Sequence, residues 1–202
     1  GTTIDVPSSN YSKWQLLSYL GRFNYSFANK YLATFSLRKD GSSRYSEGQK
    51  WGTFPSAALA WRVSNEKFMQ SLSFISNLKL RGGYGVTGST AISPYGTINY
   101  LKSESAVLNK ALVPGFDPKD SYPGDLKWES TAQTNIGIDL GFLGGKIQLT
   151  ADYYVKNTKD LLNSVQLSPS SGYDNTIKNI GKIKNEGFEL QIDASPIQTR
   201  DL

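Results

Sequence analysis

Residues 135–155 read NIGIDLGFLGGKIQLTADYYV, two alternating segments joined at Gly144-Gly145. Before the glycines, Ile136, Ile138, Leu140 and Phe142 alternate with Asn135, Gly137, Asp139 and Gly141. After them, Ile147, Leu149, Ala151, Tyr153 and Val155 alternate with Lys146, Gln148, Thr150, Asp152 and Tyr154. A Gly-Gly pair suits a tight β-hairpin. The alternation lasts about nine or ten residues a side, beyond the mode of about five or six for soluble strands and long enough for a tilted strand to cross a bilayer.

The rest of the chain repeats the pattern. In 15–27, Leu17, Tyr19, Gly21, Phe23 and Tyr25 oppose Ser18, Arg22 and Asn24, with Leu20 the apolar exception. A break at Ala28-Asn29-Lys30 leads into 31–38, and further alternating runs cover 54–63, 78–86 and 188–195. With the hairpin over 128–156, about seven principal antiparallel strands are predicted, an all-β chain. Connections at 28–30, 143–145 and 196–201 are short, that at 64–77 is moderate, and 40–53, 88–125 and 157–185 are long. This asymmetry matches outer-membrane barrels, with short turns in the periplasm and long loops outside.

Local features carry their own expectations. Ser64 or Asn65 is predicted to cap one helical turn around Phe68-Met69, and 95–100 to protrude as a hairpin arm. Asp40-Gly41 is predicted to turn the chain, with Arg38 and Arg44 paired to carboxylates of neighbouring strands; the alternative for the two arginines is contact with an anionic ligand or another domain. Phe54-Pro55 is expected to open a strand, where a missing donor costs least.

Charge follows the alternation. Arg22, Arg38, Arg62, Lys79, Arg81, Asp139, Lys146, Asp152, Glu189 and Asp193 fall on the polar phase, and Lys39 breaks the rule. Charge facing lipid near the midplane costs about 2–4 kcal/mol, so a membrane sheet needs this segregation. The wall residues expected to face a lumen are Arg22, Arg38, Arg62, Arg81, Asp139 and Asp152. Tyr25, Tyr31, Trp61 and Tyr153 fit interfacial girdles. A soluble sandwich also segregates charge, so a carbohydrate-binding or adhesin-like module is the alternative. Strand length and loop asymmetry favour the membrane.

The 202 residues include no cysteine and no histidine, which excludes disulfides, thiolate or imidazole metal sites and the usual Ser-His-Asp or Cys-His machinery. No catalytic constellation, cofactor or metal is expected; Asp160 beside Leu161-Leu162 is a lone carboxylate, too few oxygens for calcium. The net charge of +5 is interspersed and gives no nucleic-acid footprint. No run of eighteen apolar residues suggests a membrane helix, which is neutral for a barrel. The polar start at Gly1 is expected of a mature product or an internal piece. Tyr95, Tyr100, Tyr122 and Trp128, in or beside the longest loop, are candidates for stacking on a ligand; the alternative for each is packing of the loop on itself or against a covering protein.

Segments 20–45 (LGRFNYSFANKYLATFSLRKDGSSRY), 51–68 (WGTFPSAALAWRVSNEKF), 78–89 (LKLRGGYGVTGS), 126–142 (LKWESTAQTNIGIDLGF), 153–162 (YYVKNTKDLL) and 179–190 (NIGKIKNEGFEL) resemble the C-terminal barrel region of the SusC/RagA family, in family order. These are TonB-dependent outer-membrane transporters of Bacteroidota. The resemblance implies that residues 1–202 are part of a barrel of roughly 22 strands, with a plug and a TonB contact in an N-terminal region outside this sequence. It also implies a SusD-like surface lipoprotein as lid, a glycan or peptide as substrate, and membrane lipid against the outer face. A piece of odd strand number is expected to leave two open edges.

Overall fold

A computed structural model describes residues 9, 11–98, 101–118, 121–122 and 124–195. Its strands are β1 (Leu16–Phe27), β2 (Tyr31–Ser42), β3 (Trp51–Arg62), β4 (Ile75–Ser89), β5 (Leu101–Leu108), β6 (Ala111–Pro118), β7 (Ser121–Tyr122), β8 (Glu129–Phe142), β9 (Ile147–Lys159), β10 (Leu162–Gln166), β11 (Asn175–Asn179) and β12 (Lys182–Ala194). Seven of them form one antiparallel sheet in the order β1-β2-β3-β4-β8-β9-β12. They coincide with the alternating runs of the sequence, and β2, β3, β4 and β12 are longer than the runs 31–38, 54–63, 78–86 and 188–195. Among the described residues β1 pairs only with β2 and β12 only with β9, so the sheet has two open edges.

The connections explain the order. Ala28 and Asn29, both at positive φ, reverse the chain between β1 and β2, and Leu143, Gly144 and Gly145 do so between β8 and β9. Between β3 and β4 lie two single 3₁₀ turns, Val63–Asn65 and Lys67–Met69. The second starts after Glu66 with no side-chain cap, correcting the expectation for Ser64 or Asn65. Asn65 Nδ2 instead donates to the Asn29 carbonyl at 2.9 Å, tying the two turns together.

Three further corrections concern the long-loop end. Asp40 and Gly41 do not turn; they continue β2 opposite Ser18 and Leu17. The hairpin arm is β5–β6, turned by Asn109 and Lys110 at positive φ; residues 95–98 form turns, and 99–100 lie outside the described residues. Pro55 lies within β3, opposite Leu37, and the β3–β4 ladder ends at the next residue, Ser56 with Gly85. A residue without N–H fits beside the end of a ladder. The 157–185 stretch also holds secondary structure, since β10, β11 and β7 make a small separate sheet.

One rung of the large sheet joins Phe27, Tyr31, Trp61, Leu80, Ile138, Ala151 and Leu190 across all seven strands. The neighbouring rung on the opposite face carries Arg62, Lys79, Asp139, Thr150 and Gln191. The apolar face is bare: Phe35, Leu59, Ile136, Phe188 and Ile192 are all exposed, Phe188 at 67%. At its short-turn end the rings of Phe27 and Tyr31, Tyr31 and Trp61, and Phe74 and Phe142 stack. At the other end Tyr19 stacks on Trp51, and Lys39 lies 5.5 Å over the Trp51 ring. Lys39 thus closes the apolar run 31–37 of β2, as Glu186 closes 188–194 of β12. Seven residues at about 3.3 Å each make roughly 23 Å, the height of a barrel's apolar band. Tyr153 lies well inside its strand, its hydroxyl donating to Glu186 at 3.2 Å.

Candidate functional site

The polar face concentrates its charge on three adjacent strands. Arg81 of β4 donates from Nε to both oxygens of Asp139 of β8, at 3.1 and 3.0 Å. Its Nη2 reaches Asp139 Oδ1 and Asp152 Oδ2 of β9, each at 2.9 Å. Lys79 Nζ stands 3.7 Å from Asp139, and Thr150 donates to the same carboxylate at 3.4 Å. Two cations meet two carboxylates on a half-buried wall, where such pairs are screened less than on an open surface. Gly137 lies between them in register; a Cβ there would crowd the Asp152 carboxylate and the Arg81 guanidinium. Arg22, Arg62 and Arg38 share this face. Arg38 bonds Asp40 of its own strand at 2.7 Å, where a carboxylate of a neighbouring strand was expected.

The buried core lies at the long-loop end, beyond the last β3–β4 pair. Tyr45, Phe54, Ile92, Leu126 and Trp128 form it, with Val86, Leu162 and Ile177 packed against it. Phe54 lies against Gly52 and Gly88, where any Cβ would strike its ring. Trp128 stacks on Tyr45 at 5.2 Å and donates Nε1 to the Lys50 carbonyl, so its ring is committed to this core. Burial pushes the Tyr45 hydroxyl up to about 12, with Glu129 adding to the shift. Tyr95 is exposed at 44%. Tyr122 pairs by its backbone with Thr176 in the small sheet, and Tyr100 lies outside the described residues. Beside that sheet a cavity of about 660 Å³ is lined by Lys127, Tyr173, Ile177 and Asn179 among others. Asn179 fastens its floor, bonding the backbone of Lys127 and the Asp160 carbonyl. No spacing in the sequence pointed to this cavity, because its lining comes from residues over 40 apart.

At the short-turn end Glu66 accepts hydrogen bonds from Lys30 Nζ at 2.7 Å, Tyr31 Oη at 2.8 Å and Trp61 Nε1 at 3.1 Å. These bonds, Lys30 foremost, hold its carboxyl down at about 2. Arg62 pairs with Asn29 beside it. Alternation of strands does not foretell this clamp, since its acceptor sits in a turn.

A long-stranded antiparallel meander with one bare apolar face, one charged face and its two longest connections at the same end has the build of an outer-membrane barrel wall. The TonB dependent receptor-like, beta-barrel family profile matches residues 2–199, and the chain belongs to that family of the bacterial outer membrane. The TonB-dependent receptor SusC of Bacteroides thetaiotaomicron is 42% identical over 194 residues, 92% of this chain and 19% of its own length. TonB-dependent receptor P39 of Formosa agariphila is 43% identical over 195 residues, 96% of this chain and 18% of its own length. The chain thus spans about a fifth of the length of the curated relatives it matches. Among solved structures, the RagAB peptide importer in its open-open state superposes with a TM-score of 0.82 at 29% identity, over 93% of this chain and 20% of that one. The siderophore receptor PirA of Pseudomonas aeruginosa shares the fold alone, with a TM-score of 0.57 and 15% identity over 88% of this chain and 30% of that one.

Proposed function

We propose that residues 1–202 are the C-terminal portion of the barrel wall of a SusC/RagA-type transporter that imports a glycan or peptide across the outer membrane. Other strands of the same barrel, roughly 22 in all, cover the open edges of β1 and β12. The apolar face meets lipid, and Arg22, Arg38, Arg62, Arg81, Asp139 and Asp152 line the lumen. The long loops lie outside, beneath a SusD-like lipoprotein, and an N-terminal region takes energy from TonB. The observation that carries this reading is the division of faces: an unbroken apolar rung crosses seven strands beside one holding Arg62, Lys79 and Asp139. In a soluble module a second layer would cover that apolar face, and among the described residues none does.

Uptake tests the reading. Cells carrying the intact protein should accumulate a labelled oligosaccharide or peptide, and should stop when the gene is deleted or the proton gradient is collapsed. Uptake that persists after both treatments would count against import.

A further inference from the structure

Three segments far apart in sequence meet at the long-loop end around a cavity of about 310 Å³. Lys13, Trp14 and Gln15 come from the approach to β1, Ser43 and Arg44 from the β2–β3 loop, and Pro94, Tyr95 and Ile98 from the long loop after β4. Its size is at the lower end for a small-molecule site. Its charged residues are Lys13 and Arg44, and no carboxylate is among the described residues lining it.

Arg44 is held in place from two sides. Its guanidinium lies 4.1 Å over the Trp14 ring, and Nη1 donates to the Ile92 carbonyl at 3.1 Å. Its Nε is shielded from solvent and finds no acceptor among the described residues. Tyr95, at φ 66°, accepts the Lys13 N–H at 2.9 Å, which leaves the proton of its hydroxyl free to donate. Non-glycine residues held at positive φ concentrate at ligand clamps. Ser43 accepts the Gln15 N–H and stands in the same wall. The same cleft is lined by the apolar surfaces of Trp14, Pro94 and Ile98.

We infer that this cleft binds a carboxylate carried on the solute, with Arg44 and the Tyr95 hydroxyl as donors and Trp14 as the supporting face. A planar guanidinium matches a carboxylate as a fork, and an ionised acceptor makes the stronger hydrogen bonds. The apolar wall suits the ring of a uronic-acid unit or the stem of an acidic residue. The inference deepens the import reading by naming a chemical class for the solute, and it rests on that reading only for the solute's passage.

Calorimetry on the intact transporter in detergent tests it, with trigalacturonate, triglutamate and neutral maltotriose as probes. At least one anionic probe should bind more tightly than maltotriose, with an affinity that falls as salt rises. Arg44→Gln should weaken that binding about tenfold or more, and Tyr95→Phe by several-fold. Lys13→Gln, which leaves the Trp14 stack intact, keeps the test open if Arg44→Gln fails to fold, and should also weaken it. Preference for trigalacturonate identifies a saccharide source, and preference for triglutamate a peptide one. Equal binding by the wild type and all three variants, or no binding of either anion, would overturn the assignment. If Arg44-dependent binding is found in a protein that supports no uptake, the import reading fails and the carboxylate site stands.

Discussion

Arg81 holds Asp152 from a strand that never pairs with it: β4 and β9 flank β8, and the guanidinium crosses Gly137 to close a 2.9 Å contact. The crossing is possible because position 137 has no side chain. Three strands are thereby tied by side chains as well as by their ladders.

Gly137→Val should break that tie. Its branched side chain would displace the guanidinium from Asp152 and leave a half-buried carboxylate short of a donor, at a cost of about 1–3 kcal/mol. In urea unfolding of the intact barrel, Arg81→Leu and Asp152→Leu should each destabilise. The double variant should lose less than the sum of the two, by about 0.5–3 kcal/mol. Strict additivity would show that the contact carries no coupling.

The two faces can be told apart chemically by single cysteines, since these 202 residues contribute none of their own. In the intact protein, cysteine at Phe35, Leu59, Leu80, Ile138, Leu149 or Leu190 should react with lipid-phase probes. Cysteine at Arg22, Arg62, Arg81, Asp139 or Asp152 should react with aqueous ones. Reversal on two or more strands would refute the assignment of faces.

Glu66 gives a pH signature at the short-turn end. Its carboxyl sits at about 2 in the fold, against 4.5 without its partners. A depressed carboxylate stabilises fully above the unfolded value and loses that contribution as pH falls towards the folded one. The turn should therefore stay anchored at pH 5, loosen between about 4.5 and 2, and be released below that. Carboxyl chemical shifts of Glu66 followed by NMR should titrate well below those of exposed glutamates, and Glu66→Gln should abolish the low-pH step. A Glu66 titrating near 4.5 would remove the clamp.

Strand positions and the grouping of residues onto two faces were legible in the sequence because a period of two leaves a mark on every residue. Leu80, Ile138 and Leu190 share a rung that the alternation alone implies. The ladder ends were less legible: Asp40-Gly41 has turn chemistry, yet pairing with Ser18 and Leu17 keeps it extended. What decided the loop end was contact between distant segments. For Trp128 the sequence left ligand stacking and loop packing both open, and Tyr45 and Phe54 enclose it. Arg44 and Tyr95 stood out separately, and only folding brings them to one cleft with Trp14. Lys39 broke the charge pattern in sequence because it shares the phase of the apolar residues; the Trp51 ring beneath it marks the edge of the apolar band.

The last prediction concerns the edges. Counting along the sheet order, β1 and β12 are separated by five strands of alternating direction, so they run parallel. Joining them directly would need a parallel ladder, whereas every described pair in the large sheet is antiparallel. Their apolar-face residues, Tyr19 and Phe23 on one edge strand and Phe188 and Ile192 on the other, are left exposed. Unpaired backbone at such an edge cannot be satisfied by lipid. Residues 1–202 expressed alone and transferred to detergent should aggregate or pair edge to edge with a second copy. Adding the remaining strands of the same barrel as a separate polypeptide should suppress that association. Planar-bilayer recordings should show no discrete conductance from the monomer. A reproducible single-channel step from monomeric 1–202, or a cross-link between cysteines at Tyr19 and Leu190 within one chain, would mean that the sheet closes on itself.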